Sequence, residues 1–136
     1  MKVVIDYPPN MDDIDRAFHV KDKPNILYAY GEIVYNPSGV VIPNWLMVHE
    51  TVHSVRQEDH GVERWWLEYI EDPKFRLNEE IFSHRSEYAQ FIRENKDRNI
   101  QNKYFHFMAQ RLAGPLYANL VTVQEAKNHI LGIEQK

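Results

Sequence analysis

At 136 residues, with 43% apolar and 26% charged residues, the chain reads as one globular domain, 1–136, with a modest core. A net charge of −4 without a basic block argues against a nucleic-acid surface, and no apolar run approaches the roughly 20 residues of a membrane span. The absence of cysteine excludes disulfides and thiolate metal sites and fits a reducing compartment.

The first segment has only three apolar residues between Lys2 and Asp6, too few for a signal peptide. The expected location is therefore the cytoplasm, or a particle assembled there. Lys2 to Tyr7 reads as a short strand stopped by Pro8-Pro9. Asn10 is placed to cap a covering helix, Met11 to Phe18, whose acidic first turn suits the helix dipole. Ile26–Tyr30 and Glu32–Tyr35 read as strands, with Gly31 between them at a bulge or tight bend. Asn36-Pro37-Ser38-Gly39 is a turn and Val40–Ile42 an extended segment.

Asn44 is placed to cap the next helix, expected from Asn44 to Asp59 with Gly61 as its stop. Gly61 to Glu71 is a second helix carrying Trp65, Trp66 and Tyr69, which read as core aromatics. Asp72-Pro73 breaks it and opens a long helix, Lys74 to Asn95, with Leu77, Ile81, Tyr88 and Ile92 on one stripe. A further helix spans about Ile100 to Ala113 and ends at Gly114-Pro115. The last begins at Thr122, whose spacing to Glu125 makes a capping box.

The chemistry concentrates in His49-Glu50-Thr51-Val52-His53. On a helix, two histidines four residues apart lie on one face, so both imidazoles can reach one metal ion. Glu50 stands where it can reach a water on that ion, the pattern of a zinc peptidase with glutamate as general base. Val48, Val52 and Val55 are expected to bury the other side of the helix.

Two histidines leave a catalytic zinc site one protein ligand short. The metzincin spacing puts Asp59 at the third position, with His60 one residue out of register, but Arg56 stands where that turn needs glycine. The gluzincin route takes a glutamate from a later helix, here Glu80 or Glu87, seven residues and about 10 Å apart. Glu80 is favoured because His84, one turn on, can hold a zinc histidine. His84 is alternatively a ligand itself, and Glu79 is expected in solvent. Arg85, Tyr88, His106 and Tyr117 are candidates for an oxyanion donor. Arg56 and Gln57 either brace the site or form a solvated face. The strand Ile26–Tyr30 is a candidate edge for an extended peptide.

His49 to Gln57, then Trp65 to Ile70, then Phe75 to Glu80 and His84 to Tyr88, together with Leu112 to Leu120, resemble small metallopeptidase domains encoded by tailed bacteriophages. The resemblance runs from about Ile26 onward, and its chemically specific part is the His-Glu-x-x-His core. It implies an α+β, zincin-like fold of minimal gluzincin type, with a small N-terminal β-sheet packed on a mainly helical body. The implied site is Zn2+ on His49, His53 and Glu80, with Glu50 as base. The expected activity is peptide-bond hydrolysis, on a peptide or protein substrate. The alternative is a zinc-stabilised, non-catalytic structural or interaction protein of a phage particle, with phage structural proteins as partners.

Overall fold

A computed structural model describes residues 1–133. Three short strands, β1 (Lys2–Val4), β2 (Tyr28–Tyr30) and β3 (Ile33–Tyr35), form one mixed sheet in the order β1-β3-β2. β1 runs parallel to β3, and β2 antiparallel to it with Tyr28 opposite Tyr35. All three are shorter than the β-branched runs in the sequence, because β3 offers each neighbour only three partners. Gly31 has φ +61 in the turn from β2 to β3, a tight bend that favours glycine. Val40–Ile42 forms no strand. Asn36 instead folds this loop back, donating to Val40 O and accepting from Val40 N.

Six α-helices make up the body among the described residues: α1 (Met11–Phe18), α2 (Asn44–His60), α3 (Val62–Glu71), α4 (Pro73–Glu94), α5 (Arg98–Leu112) and α6 (Val123–Leu131). The architecture is α+β, as expected. Asp72 accepts from Lys74 N ahead of Pro73, and Thr122 and Glu125 complete the capping box of α6. Two expected caps differ. Asn10 makes no side-chain cap bond to α1, and its Oδ1 is buried without a partner. Extended Pro43 is the N-cap of α2, so Asn44 is already helical and its amide donates to Glu94 Oε1 at 3.0 Å.

Two apolar clusters flank the middle of the molecule. One joins α4, α5 and α6 through Leu77, Ile81, Met108, Leu112 and Ile130. The other joins α1, β2 and α3 through Met11, Ile14, Tyr28, Trp65 and Trp66, so the two tryptophans are core residues. Between the clusters α2 lies along α4. No helix among the described residues is long and apolar enough to cross a membrane.

Candidate metal centre

The buried residues of α2 are His49, Glu50, His53 and Gln57, a polar stripe. The valines do not form the buried side: Val48 and Val52 are half-buried and Val55 is 55% exposed. The reason lies across the seam, where α4 buries Glu80, Ser83, His84 and Glu87. Polar side chains on one helix are satisfied by polar side chains on the other.

The contacts are short. His53 Nε2 lies 2.6 Å from Glu80 Oε1, and His49 Nε2 lies 3.2 Å from Glu80 Oε2. His49 Nδ1 donates to Glu87 Oε1 at 2.6 Å, since a carboxylate can only accept. His53 Nδ1 meets Ser83 Oγ at 3.2 Å. With Nδ1 of His49 donating to Glu87, its Nε2 lone pair faces the Glu80 carboxylate. Lone pairs that close repel, so a proton or a metal ion must lie between them. Without a metal, a proton takes that place. Burial works against an imidazolium at His49, yet the Glu80 charge and the bonds to Glu80 and Glu87 hold its pKa well above the usual imidazole range. Burial likewise opposes ionisation of Glu80, but His53 and His49 hold its carboxyl well below the usual range.

Among the described residues two groups offer candidate ligand atoms within 4.8 Å of one another, His49, His53 and Glu80, and His49, His84 and Glu87. The second is already closed by protons. His49 Nδ1 and His84 Nδ1 both donate to Glu87 Oε1, the latter at 3.0 Å, and Tyr104 Oη donates to Glu87 Oε2. The first group turns both Nε2 atoms toward the Glu80 carboxylate, and its set of two imidazoles and a carboxylate fits a divalent metal ion. The partner that orients His49 is thus Glu87, seven residues beyond Glu80, and not His84 as expected from spacing. Burial raises the Glu87 pKa, but the bonds from His49 and His84 outweigh it and bring it to about 2. Burial pulls the His84 imidazole down against the pull of Glu87.

Glu50 lies on the wall of the same cleft and makes no side-chain hydrogen bond among the described residues. Burial pushes its carboxyl up, opposed by His49 and His53. The cleft encloses about 510 Å³ and is walled by the stretch from Asn25 to Ala29, by α2, α3 and α4, and by Phe107, Leu116 and Tyr117. Tyr69 Oη donates to Glu80 Oε1 at 3.3 Å, and burial followed by the Glu80 charge raises the Tyr117 phenol pKa.

Of the four oxyanion candidates only Tyr117 lines the cleft. Arg85 ties α4 to α6 through His129 O, Tyr88 stacks on Phe105, and His106 is exposed. Asp59 is exposed and His60 pairs with Glu68, because α2 continues unbroken through Arg56. Glu79 is the clearest correction. It is 2% exposed rather than solvated, and its Oε1 accepts from Arg56 Nε at 2.8 Å and Trp65 Nε1 at 2.7 Å. Arg56 and Gln57 do not form a solvated face, and their bonds tie α2 to α4 and to the β2–β3 turn rather than to the histidines or Glu80. Gln57, fully buried, donates to Ala29 O and accepts from Gly31 N. Ser54 donates to Gly31 O and Trp66 to Ala29 O. β2 is an edge strand, as expected, but these bonds already occupy its Ala29 and Gly31 groups. Ser83, Tyr69 and Tyr104 carried no local sequence signal, since each acts through a partner on another helix. No family model, curated protein or solved structure matches the chain.

Proposed function

We propose that the chain is a zinc-dependent peptidase of gluzincin type on a zincin-like fold, in the tailed-phage setting that the sequence resemblance implies. The observation that carries the reading is the convergence of His49 Nε2 and His53 Nε2 on Glu80, at 3.2 and 2.6 Å, on a cleft whose wall also holds an unpaired Glu50. His49, His53 and Glu80 would hold the zinc. When bound, zinc supplies Lewis acidity, polarising a peptide carbonyl and easing deprotonation of water.

The rest is the work of the chain. Glu50 accepts the proton of the attacking water and hands it to the leaving amine, a role suited by a carboxyl whose pKa burial has raised. Glu87 fixes the His49 tautomer, and Ser83 supports that of His53. The phenol of Tyr117, kept protonated by burial, is the cleft donor assigned to the developing oxyanion. The apolar wall limits water around the reacting bond.

A second reading draws on burial. His49, His53 and Glu80 are 8%, 4% and 6% exposed between α2 and α4, so a metal there would also staple the two helices. In that reading the protein is a zinc-stabilised, non-catalytic component of a phage particle. Zinc content and peptide cleavage, measured on wild type and Glu50→Gln, separate the two. The peptidase reading expects about one zinc in each protein and cleavage by wild type alone. Stoichiometric zinc with no cleavage of a broad peptide library would favour the staple. Failure to take up zinc would remove both.

A further inference from the structure

The cleft is mainly apolar apart from the groups at the metal centre, and Asn25 and Arg111 add further polar groups to its lining. Tyr104, Phe107, Met108 and Arg111 all line it, at the i, i+3, i+4 and i+7 positions of α5. That spacing is one face of a helix. Arg111 therefore extends the cleft face of α5 one turn beyond Phe107 and Met108, while the other α5 cations, Arg98 and Lys103, line no part of the cleft.

Among the described residues Arg111 is the one arginine or lysine that lines the cleft. Its neighbours offer no counter-ion: it makes no ion pair and no side-chain hydrogen bond among the described residues, only an approach to the Phe107 ring at 5.7 Å. Of the acids of the cleft, Glu80 and Glu87 are paired with histidines, and Glu50 forms no ion pair with Arg111. Arg111 is itself exposed, so its guanidinium is open to an incoming molecule. A guanidinium with five donors, on a helix face that also turns Phe107 and Met108 to the cleft, matches a planar anion on that molecule.

We propose that Arg111 is a specificity-determining residue that binds a carboxylate of the substrate, so that the cleft takes peptides pairing an apolar side chain with a carboxylate. This rests on the peptidase reading for the identity of the ligand as a peptide. The carboxylate has two sources, a free C-terminus or an acidic side chain, and both present the same two oxygens to the guanidinium. The apolar partner is received by the wall around Phe107, Met108 and Leu116.

The test measures binding apart from turnover, on zinc-loaded protein carrying Glu50→Gln. Calorimetry compares a short apolar peptide with a free C-terminal carboxylate against its amide, and a longer amidated peptide carrying glutamate against one carrying glutamine. In the presence of Arg111 at least one carboxylate member binds roughly 10- to 100-fold tighter than its neutral twin, the worth of a charge-assisted hydrogen bond. The pair that shows it identifies the source. With Arg111→Gln the preference disappears, and with Arg111→Lys it is reduced but kept, since the charge survives without the fork. Equal binding within both pairs, a preference that survives Arg111→Gln, or no peptide binding by zinc-loaded protein overturns the assignment. Circular dichroism checks that each variant is folded, and a misfolded Arg111→Gln leaves Arg111→Lys and the peptide pairs to decide. Hydrolysis by wild type is scored separately. Preference without cleavage would leave the Arg111 assignment standing and sink the peptidase reading, and cleavage without preference would do the reverse.

Discussion

His49 Nδ1 and Glu87 Oε1 stand 2.6 Å apart across the α2–α4 seam, and this bond decides which nitrogen His49 offers to a metal. Glu87→Ala frees the imidazole to rotate and to change tautomer. We expect zinc affinity to fall about 10- to 100-fold in that variant. Glu80→Ala, which removes a ligand, should fall further. Competition titration against a chelator of known affinity measures both. Equal losses would contradict the division of roles between the two glutamates.

Acid sensitivity of the metal-free chain follows from the same carboxylate. The Glu87 pKa is held near 2 in the folded protein, against an ordinary value of 4.5. The unfolded chain therefore takes up the proton first. The stability from Glu87 is complete above about pH 4.5 and is lost as pH falls toward 2. At about 1.36 kcal/mol per pKa unit this amounts to something on the order of 3 kcal/mol. Glu80, also held low, adds to the loss in the same direction. Urea midpoints in chelator between pH 6 and pH 2 should show a slope that Glu87→Gln reduces and a double variant with Glu80→Gln reduces again.

Glu50 runs the other way. Burial raises its pKa, so its ionised form weighs against the folded state. That penalty is absent below the ordinary carboxylate range and complete once pH exceeds the folded pKa. Glu50→Gln should consequently raise the melting temperature at neutral pH and, on the peptidase reading, abolish turnover. Differential scanning calorimetry at pH 7.5 reads the shift. A melting temperature lowered by the substitution would contradict it.

Glu79 is a stability residue in this structure. Its removal leaves the buried Trp65 indole N–H unpaired and Arg56 without its ion-pair partner. Glu79→Ala should destabilise the protein by about 2–3 kcal/mol, with zinc affinity changed far less than in Glu80→Ala. Chemical denaturation with parallel metal titration tests the separation.

The histidine pair was legible because helical spacing alone brings His49 and His53 to one face, whereas Glu80, which does meet both, was preferred to Glu87 through a His84 contact that the structure replaces by a bond from His84 to Glu87. Glu79 was not legible, although it is adjacent to Glu80. Spacing arguments assume a helix with one buried face, whereas α4 is wrapped by α2 and α3, by α5 and by α6. It buries Glu79, Glu80, Ser83, His84 and Glu87 alongside Leu77, Ile81 and Phe91. The same assumption put Val55 inside, while the seam it overlooked is polar on both helices. Glu87 and Tyr104 find each other between helices, and no local pattern records that crossing. The capping box and the glycine stops were legible because they are closed within one turn of chain.

Gln57, Ser54 and Trp66 occupy the Ala29 carbonyl and both Gly31 groups on the outer side of β2. An incoming chain cannot use those positions to lengthen the sheet. On the peptidase reading its main chain would go largely unread there, and discrimination would fall to the side chains that the apolar wall and Arg111 can sort. Substrates with prolines or methylated amides opposite that stretch should be accepted as readily as ordinary ones, so the tolerance of the cleft is for backbone chemistry and its strictness is for what the backbone carries.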